Sequence, residues 1–356
     1  MAKPYALRPR APATGGIGND LGMTTDAGVE RDDADSLCVF APLPLLTVTV
    51  EHDVHHADQL HVHVGGQGIW IARMVRTLGM HPRLCGAFGG ETGQVARFLA
   101  ELEELDVHGI QSEAWNGGYV HDRRGGDRIE LVDVPPSHLS RHEVDELYSV
   151  TMAAALSTGT CILAGSHVKE VIPDDVYVRL AADLGSAGVE VVADLSGDSL
   201  RAVLEGEPSL LKVSDEELER DDWADSREKD DVLRGIERLH DSGARGVVVS
   251  RGAEPTIASI HGMRFEVGAP TVIVVDGRGG GDSMTGALGV ATARRMPVVE
   301  GLRLAAAAGA ATIVRRGLAM GAREVIEAMA PLVEVTPLDD ATRDAIAADS
   351  ASHFGS

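Results

Sequence analysis

The sequence predicts a doubly wound α/β fold, in which a mostly parallel β-sheet is covered by helices on both faces. Short apolar runs alternate with helix-like segments over most of the chain, as in successive βαβ units. Hydrophobic residues make up 44% of the 356 residues, enough for a large core, and aromatic residues only 3%, so that core is predicted to be aliphatic. Two glycine-rich stretches each lie where a strand-like run meets a helix-like one.

The predicted strands are continuous apolar runs rich in β-branched residues, which suits strands buried on both faces of a sheet. They lie at residues 38–43, 161–165, 189–195, 246–250 and 272–275. Between them, residues typical of amphipathic helices predict helices over residues 68–79, 140–157, 174–188 and 228–243. This order predicts one domain from residue 37 to residue 345.

Two segments alternate polar and apolar residues with a period of two, namely 47–64 (TVTVEHDVHHADQLHVHV) and 119–134 (YVHDRRGGDRIELVDV). This alternation predicts antiparallel ribbons. We expect them to form a small β-sheet lid, near residues 45–64 and 117–134, beside the main sheet. Residues 1–36 mix Pro, Gly, Asp and Thr without periodicity and are predicted to be a disordered tail, and residues 346–356 to be a frayed C-terminus.

Charge and cysteine usage narrow the functional class. The formal net charge of −23 argues against a nucleic acid or an anionic membrane as partner. The sequence shows neither a membrane-spanning apolar window nor the apolar core of a signal peptide. Cys38, Cys85 and Cys161 are widely spaced and match no metal-binding pattern, which fits a reducing compartment. We therefore predict a cytoplasmic protein with a small-molecule ligand.

The stretch VDGRGGGDSMTG, residues 275–286, follows an apolar run and precedes an alanine-rich one. A helix that starts here presents unpaired N–H groups, and an anion can approach them closely where Gly279, Gly280 and Gly281 carry no side chain. Asp282, in the first helical turn, can accept a proton from a nucleophile that attacks the phosphorus of such an anion. An ordinary glycine turn with a helix-start carboxylate is the alternative.

A second glycine-rich stretch, VGGQGIWIARMVRTLG, spans residues 64–79. Gly65, Gly66 and Gly68 precede a helix and follow the first lid ribbon, so backbone can approach a ligand here too. The alternative interpretation is a tight turn from lid to helix.

The chain resembles the PfkB carbohydrate kinase family of ribokinase-like sugar kinases, in particular its 1-phosphofructokinase and tagatose-6-phosphate kinase branch, from about Cys38 to about Ala330. GGQGIWIARMVRTLG matches the family signature GGKGxNVAxxLxxLG, and DGRGGGDSMTG matches DTxGAGDxFxxG. Between them, AGSHVKEVIPDDVYVRL resembles the SGSLP segment, VVADLSGDSL the DTSG segment, LLKVSDEEL the KPNxxEL segment and VVSRGAEP the SLGxxG turn. The resemblance implies a ribokinase-like three-layer α/β/α sandwich with a small β-sheet lid.

The resemblance also implies an activity: ATP- and Mg²⁺-dependent transfer of the γ-phosphoryl group to a hydroxyl of a sugar or sugar phosphate. Asp282 would be the catalytic base and Gly279, Gly280 and Gly281 the anion hole. Lys212, Glu217, Ser250 and Gly252 would bind ATP, with Glu217 near Mg²⁺. The sugar would contact Thr47, Gly65, Gly66, Gln67, Gly68 and Trp70. A homodimer that forms through the lid is also expected.

Several positions depart from the family pattern. The Lys and Asn of GGKGxN are Gln67 and Trp70, and the early substrate aspartate is Thr47; on the nucleotide side, the Asn of KPN is Ser214. A site that loses hydrogen-bonding groups should reject the original substrate by orders of magnitude. The sequence therefore leaves the sugar unidentified and leaves a second hypothesis open: a catalytically degenerate sugar- or nucleotide-binding regulatory protein on the same fold.

Three further features each allow two interpretations. Five histidines lie within residues 52–63, where His61 and His63 share a strand face: they could bind zinc or be solvated. Arg278 could clamp a phosphate or project into solvent. Ser283, in GGDSMTG, resembles the nucleophile of GDSL hydrolases, although the motif comes late in the chain and lacks a well-spaced partner block.

Overall fold

The computed structural model describes residues 35–53, 55–126, 128–166, 171–270, 272–315, 321–347 and 353–355. The predicted N-terminal tail lies outside these ranges except for its last two residues, and the first strand begins at Ser36. The strands are β1 (Ser36–Phe40), β2 (Leu45–His52), β3 (Asp58–Gly65), β4 (His81–Gly89), β5 (Asp106–Ser112), β6 (Gly118–Asp122), β7 (Ile129–Val134), β8 (Thr160–Ala164), β9 (Glu190–Asp194), β10 (Leu210–Ser214), β11 (Gly246–Arg251), β12 (Glu254–Ile260), β13 (Met263–Gly268) and β14 (Glu334–Pro337).

The helices are α1 (Gln67–Thr77), α2 (Gly90–Leu102), α3 (Arg141–Thr158), α4 (Asp175–Ser186), α5 (Gly197–Glu205), α6 (Asp215–Arg220), α7 (Lys229–Asp241), α8 (Gly280–Ala293), α9 (Val298–Ile313), α10 (Arg323–Met329) and α11 (Asp340–Ala347), with a 3₁₀ turn at Ala330–Leu332. Each predicted helix is present within two residues of its expected bounds. Four of the five predicted strands are also present.

The main sheet has the strand order β14-β13-β12-β11-β10-β9-β8-β1-β4-β5. Its strands from β5 to β11 pair in parallel, and β12, β13 and β14 extend it with antiparallel pairs. Alternate residues of β1 point to opposite sides. Leu37 and Val39 pack in a core with α1 and α8, whereas Cys38 and Phe40 pack in a second core with α3 and α4. The predicted three-layer sandwich is confirmed.

The small sheet has the order β3-β2-β6-β7. It consists of two antiparallel ribbons, β2/β3 and β6/β7, joined by a parallel pairing of β2 with β6. Thr47 is level with His63 and Tyr119, and Val48 is level with Val62 and Val120. Because side chains alternate along a strand, polar and apolar rows face opposite sides of this sheet. The predicted lid is confirmed, and it is amphipathic.

The strand predicted at residues 272–275 is wrong. This segment forms no strand, and Ile273, at 86% exposed, Val274 and Val275 face solvent. α8, which follows it, packs across the middle of the sheet against Leu37 and Ile162, so the preceding segment passes over the strand ends. Continuous apolar runs do not reveal by themselves whether a sheet has room for them.

The chain end also differs from expectation in the three residues that are described there. Phe354 is buried against Gly301, and its backbone N–H donates to the Met296 carbonyl at 3.0 Å. This contact anchors residues 353–355 instead of leaving them frayed.

The three cysteines are unpaired and buried. They lie in the core that contains α3 and α4, where the Sγ atoms of Cys38 and Cys85 are 3.7 Å apart. A hydrogen bond with Cys161 and then burial raise the pKa of Cys38, and a hydrogen bond with Cys38 and then burial raise the pKa of Cys85, which keeps both thiols protonated. None of the helices in the described ranges is both long and apolar enough to span a membrane.

Candidate active site

The predicted site residues converge at the carboxyl ends of the parallel strands. Asp194 ends β9 and lies level with Lys212 of β10, while Ser214 of β10 lies level with Ser250 of β11. The amino-terminal ends of α1 and α8 meet the same edge. Gln67 Oε1, in α1, accepts from the N–H of Gly165, just after β8, at 2.8 Å. Gly281, in α8, lies against Lys212 of β10. Ligands of open α/β sheets bind at this edge.

Helix α8 starts as the sequence predicts. Gly279 precedes it with φ 75°, a left-handed conformation that glycine adopts most readily, and the Ser283 N–H donates to the Gly279 carbonyl at 2.9 Å. The N–H groups of Gly280, Gly281 and Asp282 belong to the first turn, where the helix offers no acceptor, and no side chain caps them. Three N–H groups at a helix start form an arrangement that can bind an anion.

A buried ion pair lies beneath this helix start. Lys212 Nζ is 3.4 Å from Asp194 Oδ2, and the two side chains are only 7% and 3% exposed. Thr285, one turn into α8, donates to the same Asp194 oxygen. A Cβ atom at Gly281 would lie 2.8 Å from Lys212 Nζ, so the glycine leaves room for the ammonium group. Burial works against the charge on Lys212, but the carboxylates around it, Asp194 first, raise its pKa and keep it protonated.

The burial of Asp282 and the charges around it suit a general base. Burial, together with the nearby carboxylates of Asp194 and Glu217, raises the pKa of Asp282 to about 7, and the Lys212 ammonium opposes this shift. A base is most effective when its pKa lies near the working pH, because it is then both available and basic. Sequence reasoning identified Asp282 but not the Asp194–Lys212 pair, whose two charges act on the pKa of Asp282 in opposite directions.

The residues predicted to bind ATP line up along the strand ends. Glu217 and Ser214 form a capping box at the start of α6, in which Glu217 Oε2 accepts from the N–H and the hydroxyl of Ser214 at 2.9 and 2.8 Å. Gly252 lies in the β11–β12 turn with φ 60°, and no atom lies within 4 Å of where its Cβ would be. Ser250 lies just before this turn. Lys212, by contrast, is enclosed beneath Gly281 rather than open to solvent.

Both glycine-rich stretches line one cavity of about 170 Å³ between the lid and the sheet edge. It is lined by Thr47, Gly65, Gly66, Trp70, Tyr119, Arg123, Arg128, Asp276, Arg278, Gly279, Asp282 and Thr312. The two stretches therefore lie on the same side of the domain. We call this space the acceptor cavity.

Two residues predicted to contact the sugar do not line the acceptor cavity. Gln67 uses its side-chain oxygen to bind the Gly165 N–H. Gly68 is packed on the end of β1, where its Cβ would lie 2.4 Å from that of Ala41. In these two cases the family motif positions helix α1 against the sheet.

Sequence reasoning missed most of the lid residues in the acceptor cavity, including Tyr119, Arg123 and Arg128. Arg123 Nη2 binds Asp276 Oδ2 at 2.9 Å and so links the lid to the loop before the anion-binding arrangement. The arginines of DRRGGDR, residues 122–128, were the sequence feature that could have revealed these residues. The alternation of polar and apolar residues did not show which arginines face the site. Arg278 lines the cavity, as a phosphate clamp requires.

The hydrolase and zinc-site interpretations lose support. Ser283 is fully buried, and its hydroxyl lies 2.9 Å from the Thr312 hydroxyl, so it cannot serve as the nucleophile of a hydrolase. Over the described parts of the chain, no group of three or more His, Cys, Asp or Glu residues is arranged to hold a metal ion, and this includes His61 and His63.

The sequence pattern of the family described as pfkB family carbohydrate kinase matches residues 41–324. The chain belongs to this family. It is therefore a phosphotransferase with an alcohol group as acceptor.

Known relatives agree with this assignment. Over 275 residues the kinase is 25% identical to the 1-phosphofructokinase of Bacillus subtilis (strain 168), which covers 77% of this chain and 88% of the relative. Over 257 residues it is 26% identical to the ATP-dependent 6-phosphofructokinase isozyme 2 of Escherichia coli (strain K12), with coverages of 71% and 82%. The solved tetrameric inhibited form of phosphofructokinase-2 from Escherichia coli has a TM-score of 0.72 at 23% identity, over 83% of this chain and 98% of that one. The predicted ribokinase-like fold is confirmed.

Proposed function

We propose that this kinase transfers the γ-phosphoryl group of ATP to a hydroxyl of a sugar or sugar phosphate held in the acceptor cavity. One observation carries the proposal. A carboxylate with a pKa of about 7, Asp282, lies in the same helical turn as unpaired backbone N–H groups, and Asp282 and Gly279 line a cavity under the lid. A base and an anion-binding arrangement side by side are what phosphoryl transfer to an alcohol requires.

In this mechanism the Asp282 carboxylate takes the proton of the acceptor hydroxyl as its oxygen forms a bond to the γ-phosphorus. The bond between that phosphorus and the bridging oxygen breaks, and ADP leaves with the electron pair. The first-turn N–H groups of α8 donate to the oxygens of the transferred group, where charge accumulates. The buried Lys212 contributes a fixed positive charge directly behind Gly281.

The residues present suit a nucleotide with Mg²⁺. Mg²⁺ in kinases is held largely by substrate phosphates and water, with one or two carboxylates. Glu217 provides a carboxylate at the strand ends. Its Oε2 accepts hydrogen bonds in the capping box, which leaves Oε1 as the oxygen for a metal ion. When bound, Mg²⁺ would neutralise part of the phosphate charge. Ser250 and Gly252 border the open side of the same edge, where the nucleotide would lie.

The test of this proposal is a panel of sugars and sugar phosphates assayed for ATP consumption. We expect turnover with at least one member, in the range of about 1 to 100 per second that is usual for kinases. A regulatory protein on the same fold would behave differently: ligands would raise its thermal midpoint, yet no member of the panel would be phosphorylated. That combination would contradict the proposal.

We also propose that two copies of the kinase associate through the lid. The apolar row of the small sheet faces outward, and Leu60 is 66% exposed, with Val62, Ile129, Val132 and Val134 also exposed. A contiguous apolar patch on a sheet is typical of an interaction surface. A second copy of the same chain is the natural occupant, since a related fold forms a tetramer in phosphofructokinase-2 from Escherichia coli.

Leu60→Glu should convert the dimer to a monomer, because the new carboxylate would be buried without a partner in the interface. Sedimentation velocity measures the change directly. Leu156→Glu is the matched control, since Leu156 is an exposed leucine on α3, outside the lid, and that variant should remain dimeric. A wild-type protein that sediments as a monomer at micromolar concentration would rule out the lid interface.

A further inference from the structure

Trp70, which lines the acceptor cavity, has an arginine stacked on its ring. The guanidinium carbon of Arg73 lies over the ring, 4.5 Å from its centre. Both residues belong to α1, and residues three positions apart lie side by side on a helix surface. A guanidinium within about 6 Å of an indole ring is attracted to its face. Arg73 does not line the cavity itself, but it contacts a ring that does.

Hydrogen bonds fix the same guanidinium in place. Arg73 Nε and Nη2 each donate to the Glu103 carboxylate, both at 2.6 Å, and Nη2 also donates to the Val64 carbonyl at 2.8 Å. A two-point contact with a carboxylate fixes the plane of the guanidinium as well as its position. The Arg73 side chain is only 12% exposed, and hydrogen bonds away from water are electrostatically stronger than exposed ones.

These contacts join three elements beside the acceptor cavity. Glu103 is the last residue associated with α2, Trp70 lies near the start of α1, and Val64 belongs to the lid strand β3. Val64 immediately precedes the two glycines that line the cavity. A shift of the guanidinium would therefore move the indole ring together with the backbone that joins the lid to α1.

A link between α1 and α2 does not by itself require this buried contact. Arg76, three residues further along α1, pairs with Glu104 just beyond α2, and both of these side chains are exposed. Arg73 Nη1, in contrast, is buried and has no hydrogen-bond partner among the described residues. A buried donor without a partner lowers stability. Hydrogen bonding alone therefore does not account for the place of Arg73, whereas the stack on Trp70 does.

We infer that Arg73 is a positioning residue for the acceptor: it sets the orientation of the Trp70 ring and of the junction between lid and α1. This inference rests on the proposed function, because it treats the acceptor cavity as the place of the reacting hydroxyl. Trp70 stands where the family pattern has an asparagine. A larger ring with several available rotamers has to be held in one of them to shape the cavity in a single way. Arg73 acts through Trp70 and Val64 and does not touch the acceptor.

The first test needs neither acceptor nor turnover. The chain has three tryptophans, so Trp115→Phe and Trp223→Phe together leave Trp70 as the sole one. Acrylamide quenching of its fluorescence measures how accessible the ring is. Arg73→Met removes the guanidinium from the ring face and should raise the Stern–Volmer constant about twofold.

The second test keeps all three tryptophans and measures how tightly the acceptor is held. Arg73→Met should raise the KM for the acceptor found in the sugar panel about 3- to 30-fold, the range for loss of a partly buried cation–π contact. The KM for ATP should change by no more than about twofold, since Arg73 lies beside the acceptor cavity rather than the nucleotide edge. Calorimetric titration of the same panel without ATP gives the Kd, which should rise by the same factor as the acceptor KM.

Arg73→Lys distinguishes positioning from a simple ion pair. Lysine keeps a positive charge opposite Glu103, but it lacks the planar fork that donates to Glu103 and Val64 while stacked on an aromatic ring. We therefore expect Arg73→Lys to raise the acceptor KM and the quenching as Arg73→Met does. An arginine that only tied α1 to α2 would be replaced by lysine without loss.

Arg76→Met is the matched control. Arg76 lies on the same helix and pairs with Glu104, but its side chain is 47% exposed and lines no part of the acceptor cavity. Because exposed ion pairs contribute little, the variant should stay within about twofold of the wild type in quenching and in acceptor KM.

The outcomes separate this inference from the proposed function. Unchanged quenching in Arg73→Met, or a wild-type acceptor KM in Arg73→Lys, would overturn the inference even with turnover intact. An equal rise of the KM for acceptor and for ATP would show a general loss of structure and would also overturn it. Weaker binding and stronger quenching in the Arg73 variants of a protein without turnover would support the inference and contradict the kinase activity. A panel in which no member binds would contradict both.

Discussion

We expect Asp282→Asn to lower turnover by about two to four powers of ten, the range for loss of a general base. The amide keeps the shape of the side chain at the start of α8 but cannot accept the proton of the acceptor hydroxyl. The backbone N–H groups of the same turn remain, so ATP binding should change little. Steady-state kinetics with the acceptor found in the panel measure kcat, and calorimetry measures ATP affinity.

Glu300→Gln is the control for this variant. Glu300 is an exposed carboxylate in the first turn of α9, so its loss changes a helix start without touching the cavity. Its turnover should equal that of the wild type. Unchanged turnover in Asp282→Asn would reject the assignment of the base.

The pH dependence of wild-type turnover should show the titration of Asp282. The pKa of Asp282 is raised to about 7, chiefly by burial, so the protonated and inactive form dominates below that pH. Turnover should therefore fall as the pH drops through about 7 and level off above it. The residual rate of Asp282→Asn should lack this acidic limb, which distinguishes titration of the base from general acid destabilisation.

Lys212→Met should have the second-largest effect, and it acts on stability as well as on catalysis. The variant leaves the buried Asp194 carboxylate without its cation, and removing one partner of such a pair costs about 3–5 kcal/mol in the free energy of unfolding. It also removes the charge that opposes the raised pKa of Asp282. We therefore expect the acidic limb of the pH profile to move to higher pH.

Urea denaturation measures the loss of stability, and the double variant Asp194→Asn/Lys212→Met provides its control. Without either charge, no uncompensated ion remains in the interior, so the double variant should regain most of the lost stability. A single variant as stable as the wild type would show that the pair is not buried in solution.

Much of the fold was predictable because it depends on local pattern. The two lid ribbons follow from a period of two in the sequence, and the helices from residues at helical spacing, and both were found where expected. The strand expected at residues 272–275 was wrong because the position of an apolar run in a sheet depends on its neighbours. Nothing within the run shows that α8 already covers the sheet beside it.

The candidate site divides in the same way. Asp282 and the glycines before it were identifiable because a helix start and its carboxylate are adjacent in sequence. The buried ion pair was not, since Asp194 and Lys212 meet on neighbouring strands and are covered only when α8 packs over them and Thr285, 91 residues away, donates to Asp194. Gln67 and Gly68 belong to the first glycine-rich motif but do not line the acceptor cavity. Only their packing in the folded chain shows that they position α1.

The sequence by itself determined the fold class, the lid and the position of Asp282 at a helix start, because periodicity and helix-start chemistry act over a few neighbouring residues. Only the tertiary structure decided the electrostatics of the site. Arg123 reaches Asp276 across 153 residues, and Arg128 and Arg278 line the same cavity, because the lid folds back over the strand ends. Charge interactions depend on distance in space and on burial, and a linear sequence specifies neither.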